Sequence, residues 1–279
     1  MSSGFAQLTD RQRALLDAWL PGATVLRDHS WGLVGTTVLE LSHDGTRYIA
    51  KAGDDQDRHL ARELHAHQHW LRPWTSIERA PELVRADGEA KLLLTRYLPG
   101  SLVQGLDAER DPDVYRQAGE LLARLHAQLS IEDARFEERA NTKALAWLAA
   151  PHRIEPARTA RLRALVASWR ASPSLLVPTH GDWQPRNWLI DQHTVRVIDF
   201  GRADLRPAMT DFARLAVQQF RTDPALEAAF VAGYGSDPRE PDAWQRNQVR
   251  EAIGTAVWAY QVGDERFEQQ GHRMLDDVL

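Results

Sequence analysis

The chain has 279 residues, 43% hydrophobic and 26% charged, and a formal net charge of −5. That balance is globular rather than disordered, and the absence of cysteine excludes a disulfide framework, a cysteine zinc site and a thiol nucleophile. A mildly acidic chain with no basic run argues against a nucleic-acid partner, and no apolar stretch approaches the roughly 20 residues of a membrane-spanning helix.

The first expected element is a helix over 10–20, opened by a capping box of Thr9 and Gln12 and stopped by Pro21-Gly22. Strand-like segments follow at 23–27, 36–42 and 48–52, the last two joined by a turn containing Asp44-Gly45. A helical stretch over 58–71 comes next. Two more strands fit 82–85 and 90–97, linked by Asp87-Gly88.

After Pro99-Gly100 helical periodicity takes over, at 112–128, 142–149 and 157–171. A short β-like island at 187–200 interrupts it, and further helices start near 211, 224 and 241. The expected fold class is α+β, with a small antiparallel sheet lobe carrying one helix at 1–98 and a larger, mostly helical lobe at 99–279. Residues 1–9 lack a basic stretch followed by an apolar run, so no signal peptide is expected. A cytoplasmic monomer or dimer is the resulting expectation.

The chemistry concentrates in His180-Gly181-Asp182-Trp183-Gln184-Pro185-Arg186-Asn187, followed by Ile198-Asp199-Phe200-Gly201. Phosphoryl transfer to a hydroxyl needs a carboxylate that orients the attacking group and accepts its proton. It also needs oxygen ligands that hold Mg²⁺ against the phosphates. Asp182, Asn187 and Asp199 supply those atom types. A competing reading takes His180 and Asp182 as two ligands of a hydrolase metal site, which leaves Asn187 and the Ile-Asp-Phe-Gly run without a purpose.

These motifs resemble the aminoglycoside phosphotransferase and choline kinase family, relatives of the protein kinases. The resemblance implies a protein-kinase-like fold with Asp182 as catalytic base and Asn187 and Asp199 as magnesium ligands. It also implies that Lys51, in Tyr48-Ile49-Ala50-Lys51, holds the α/β-phosphates of ATP, with GTP as the alternative donor. Glu63, the one acidic residue in the stretch 58–71, becomes its ion-pair partner. Backbone groups of Gly35 and its neighbours in 30–36 would cover the phosphates, and those of Arg96 and Leu98 would meet adenine. His126 reads as structural, and Asp211 as a helix cap that also braces the catalytic loop.

The acceptor is expected to be a small cationic molecule, an aminoglycoside or basic peptide antibiotic. The mild acidity suits such a ligand, although solubility alone also accounts for it. Asp264 and Glu265, after the aromatic run Trp258 to Tyr260, are its expected contacts. The competing readings are a metabolic kinase for choline, another amino alcohol or a sugar, and a kinase-like binding protein without catalysis. The intact Lys51, Asp182, Asn187 and Asp199 argue against the last.

Overall fold

The computed structural model describes residues 5, 7–30 and 35–279. They form a mixed α+β, protein-kinase-like fold that divides into two compact units. The first comprises 1–128, 180–204 and 228–235, and the second 129–179, 205–227 and 236–279. The first unit thus takes in later segments as well as the 1–98 expected for the nucleotide-binding lobe.

In the first unit, helix α1 (Asp10–Trp19) begins with the expected capping box: Thr9 Oγ1 accepts from the Gln12 backbone N–H, and Gln12 Oε1 accepts from the Thr9 N–H. The same Gln12 is buried and donates its Nε2 to the carbonyls of Gly53 (2.9 Å) and Ala90 (2.8 Å), which pins the helix to the sheet.

The sheet has five antiparallel strands: β1 (Thr24–Asp28), β2 (Thr36–His43), β3 (Thr46–Gly53), β4 (Leu83–Asp87) and β5 (Leu92–Arg96), in the order β1-β2-β3-β5-β4. Period-two alternation puts Leu39 and Leu41, Ala50 and Ala52, and Leu92 and Leu94 on one face, packed with Leu8, Leu16 and Leu20. Lys51 lies between Ala50 and Ala52 in sequence, so it leaves by the opposite face. Truncating a buried leucine in this layer costs about 2–5 kcal/mol.

The two Asp-Gly turns differ. Asp44 and Gly45 both take positive φ, 48° and 73°, as a two-residue hairpin with matched twist requires. Asp87 instead ends β4 and accepts the Ala90 N–H on its carboxylate (2.7 Å), while Lys91 takes the left-handed conformation at φ 49°. The connection is therefore longer than the dipeptide suggests, because the Asp87 side chain closes the turn in place of the ladder.

Helix α2 (Leu60–His69) links β3 to β4. Its first N–H groups, from His59 and Leu60, are taken by Asp57 Oδ1 at 3.0 and 2.9 Å. The Pro99-Gly100 break leads to the short strand Ser101–Leu102, which pairs with Trp188–Asp191, itself in a hairpin with Thr194–Val197. Gly100 sits at φ 135°, where an added Cβ would meet Leu189 Cβ at 3.0 Å and the Ile190 carbonyl at 3.1 Å.

The second unit is built on the helices Phe136–Ala149, Pro156–Ser168, Pro241–Val262 and Glu265–Val278, with a core of Leu148, Leu162, Val249, Ile253, Val257 and Leu275 among others. The first of these helices starts six residues before its expected position at 142. Its first turn is held by Glu137, buried against Arg250 (2.6 Å) and Arg246 (3.1 Å). Asp211 lies buried inside a 3₁₀ turn, Ala208–Phe212, rather than at a helix N-cap. No helix among the described residues is long and apolar enough to cross a membrane.

Candidate active site

The segment His180 to Gly201 lies wholly in the first unit, together with Lys51 and Glu63. It rests on an aromatic floor. His180 meets Trp183 and Phe200 edge-on, each at 5.3 Å between ring centroids, and Trp74 stacks beside Trp183 (5.6 Å) and Phe200 (5.9 Å). Trp183, Trp188 and Phe200 are fully buried, so the loop's apolar residues anchor it while its polar residues meet one another.

His180 has both ring nitrogens in the loop. Nε2 donates to the Ile198 carbonyl (3.1 Å), and Nδ1 accepts the Asp182 N–H (3.2 Å), a tautomer set by these partners. His180 therefore braces the turn, and Gly181 beside it takes φ 78°.

Asp182 is 3% exposed. Its Oδ1 accepts from Gln184 Nε2 at 2.6 Å, and its Oδ2 from Arg186 Nη2 at 2.6 Å and Asn187 Nδ2 at 3.0 Å. Asn187 Nδ2 also donates to the Asp182 carbonyl at 2.8 Å. These bonds turn the amide so that Asn187 Oδ1 is the atom left to accept a cation, the donor type that magnesium prefers.

Lys51 leaves β3 toward α2, and its Nζ lies 2.7 Å from Glu63 Oε1 and 3.5 Å from Asp199 Oδ1. Burial works against the Lys51 charge, but Glu63 and Asp199 outweigh it and hold the ammonium above its ordinary pKa. Burial pushes the Glu63 carboxyl up. The Lys51 charge holds Asp199 below the usual carboxylate range. Asp199 takes φ 67°, a left-handed conformation uncommon outside glycine. Its side chain is half exposed, while Glu63 is 4% exposed. The ionised, open carboxylate suits a metal ligand, and the closed one suits a strut.

Residues 31–34 of the expected phosphate loop lie outside the described residues. Gly35 accepts the Asp54 N–H on its carbonyl (2.8 Å), and a Cβ there would stand 1.8 Å from the Asp54 carboxylate, which would have to move aside. Arg96 commits its backbone N–H to the Glu82 carbonyl (2.9 Å), and Leu98 follows beyond the end of β5. His126, read as structural, is buried with Nδ1 2.8 Å from the Tyr234 hydroxyl.

Asp264 and Glu265 lie in the second unit and are exposed. Asp264 has a local task, accepting the Phe267 N–H (3.0 Å) as N-cap of the last helix. The structure also shows three residues the sequence reading passed over: Gln184 and Arg186 on Asp182, and His59, whose Nδ1 donates to the Gly201 carbonyl at 3.0 Å. Position was the available signal for the first two, which stand two and four residues after Asp182.

The fold is shared with solved phosphotransferases. A thermostable mutant of aminoglycoside phosphotransferase APH(4)-Ia, in ternary complex with ADP and hygromycin B, matches with a TM-score of 0.69 at 13% identity, covering 97% of this chain and 98% of that one. Macrolide 2'-phosphotransferase MphH from Brachybacterium faecium matches with a TM-score of 0.59 at 19% identity, covering 96% and 98%. Choline kinase LicA from Streptococcus pneumoniae matches with a TM-score of 0.65 at 13% identity, covering 95% and 97%. No curated protein matches the chain in sequence. Residues 26–244 match the sequence pattern of the phosphotransferase enzyme family, and the chain belongs to that family.

Proposed function

We propose that the protein transfers the γ-phosphate of ATP, or of GTP, to a hydroxyl of a small cationic molecule, in a Mg²⁺-dependent reaction. The observation that carries this reading is the joining of Lys51 to both Glu63 (2.7 Å) and Asp199 (3.5 Å). A partly buried lysine held between a strut and an open carboxylate is the arrangement that meets nucleotide phosphates and their metal.

In this reading Lys51 binds the α/β-phosphates, and Asn187 Oδ1 and the Asp199 carboxylate hold the metal. The magnesium ion, when bound, neutralises charge on the β- and γ-phosphates. A carboxylate oxygen of Asp182 orients the acceptor hydroxyl and takes its proton. The new bond joins that hydroxyl oxygen to the γ-phosphorus, the bond from the γ-phosphorus to the β–γ bridging oxygen breaks, and ADP leaves with that electron pair. The aromatic floor under the loop limits movement of Asp182.

The favoured acceptors are antibiotics, an aminoglycoside or a basic peptide, because phosphorylation adds negative charge to a ligand that acts through positive charge. The solved hygromycin B complex of a similar fold supports that reading. The similarity to a choline kinase supports a second, an amino alcohol acceptor. The test is a coupled ADP-release screen with MgATP and MgGTP against hygromycin B, other aminoglycosides, basic peptide antibiotics, choline, ethanolamine and hexoses. Turnover with a cationic member is expected. A preferred neutral sugar would overturn the cationic-acceptor reading, and ADP release with no member would favour a binding protein.

A further inference from the structure

We propose that Arg186 is a positioning residue for Asp182 and brings a guanidinium charge to the phosphoryl group in transit. This rests on the phosphoryl-transfer reading above.

Three side chains of one short loop converge on the Asp182 carboxylate. The neutral Gln184 amide takes Oδ1, while Arg186 and the Asn187 amide share Oδ2. Pro185–Asn187 form a 3₁₀ turn, so positions 184, 186 and 187 face back toward 182. An ionised carboxylate as buried as Asp182 needs a countercharge. The Lys51 ammonium is already shared between Glu63 and Asp199. Arg186, 2.6 Å from Oδ2 and with a side chain one-third exposed, brings such a charge to the base.

Position then gives the guanidinium a second consequence. A hydroxyl that delivers its proton to Asp182 must sit about 2.6–3.2 Å from a carboxylate oxygen. If that oxygen is Oδ2, the Arg186 Nη2 is within about 6 Å of the attacking oxygen. The phosphorus is that oxygen's next neighbour in the transition state, and its equatorial oxygens carry the charge. A planar guanidinium at this place fixes the base and offsets that charge together, which a lysine ammonium does less well.

The test uses MgADP with and without aluminium fluoride, which imitates the transferred phosphoryl group, and follows binding by titration calorimetry on the wild type, R186A, R186Q and R186K. The wild type should bind MgADP more tightly when aluminium fluoride is present. R186A and R186Q should lose at least tenfold of that tightening, with MgADP affinity within about twofold of wild type, and R186K should recover part of it. R186Q keeps a hydrogen-bond donor for Asp182 without the charge, so it guards against a folding defect in R186A. Full tightening in R186Q overturns the proposal and leaves the phosphoryl-transfer reading standing. A wild type that shows no tightening refutes that reading, and this proposal with it.

Discussion

Replacing Glu63 by glutamine keeps the shape of the side chain and removes its charge from Lys51. With an effective dielectric constant of 20, Glu63 at 2.7 Å attracts Lys51 by about 6 kcal/mol, and Asp199 at 3.5 Å by about 5 kcal/mol, before desolvation. Breaking a buried pair outright costs about 3–5 kcal/mol. Asp199 remains as a partner here, so the expected loss of stability is smaller, about 1–3 kcal/mol. Thermal unfolding should then fall by roughly 3–10 °C.

The larger effect is functional. Without Glu63 the Lys51 ammonium is drawn to Asp199, which ties up the proposed metal ligand and moves the phosphate clamp. Losing one charge-assisted contact of about 1.5–3 kcal/mol corresponds to roughly a 10- to 150-fold weaker interaction with Mg·AMP-PNP, readable by calorimetry. Glu63→Gln with wild-type nucleotide affinity and an unchanged melting temperature would refute both the strut role and the reasoning that links it to Asp199.

Asp182→Asn should nearly abolish turnover and leave nucleotide affinity within a few-fold, since the side chain keeps its shape and loses its proton-accepting charge; near-normal kcat removes Asp182 from the role of base. Asp199→Ala should abolish the dependence of nucleotide binding on magnesium, and calorimetry showing unchanged Mg·nucleotide affinity assigns the metal elsewhere. Glu137→Gln should destabilise the protein by about 3 kcal/mol near neutral pH. Burial raises the Glu137 pKa, but Arg250 and Arg246 outweigh it and hold it below the ordinary value. Its stabilisation is therefore present above the unfolded pKa of about 4.3 and lost as pH falls through the folded value. Denaturant midpoints of wild type and variant should converge as pH falls through the folded Glu137 pKa, and a constant gap contradicts the ion-pair account. Asp264→Asn with Glu265→Gln keeps a capping side chain at 264, so it should raise the acceptor KM well above any change in ATP KM without lowering the melting temperature, and an unchanged acceptor KM moves that pocket elsewhere.

The α+β class and the hairpin that carries Lys51 were legible because strand-like segments flank a local Asp-Gly turn. Asp182, Asn187 and Asp199 stood out as residue types at fixed spacing. What stayed hidden depended on partners distant in sequence. The helix Phe136–Ala149 starts early because Glu137 meets Arg250 across 113 positions. Gly35 lies against the Asp54 carboxylate, which no hairpin pattern announces. Gln184 and Arg186 fill variable positions of a recognised spacing, where a pattern of fixed residues carries no information.

Helix α2 shows how a local period becomes a site. His59, Glu63 and His67 recur every four residues, so they form one stripe along the helix and its N-terminal cap. His59 holds the Gly201 carbonyl, Glu63 holds Lys51, and His67 packs edge-on against Phe200 at 5.5 Å. One rigid element thus holds Gly201 and Phe200, with Lys51 gripped in between. Burial, reinforced by Lys51, pushes the His67 imidazole down to about 3, so it is neutral at physiological pH. A protonated imidazole at that position would be repelled by the Lys51 ammonium.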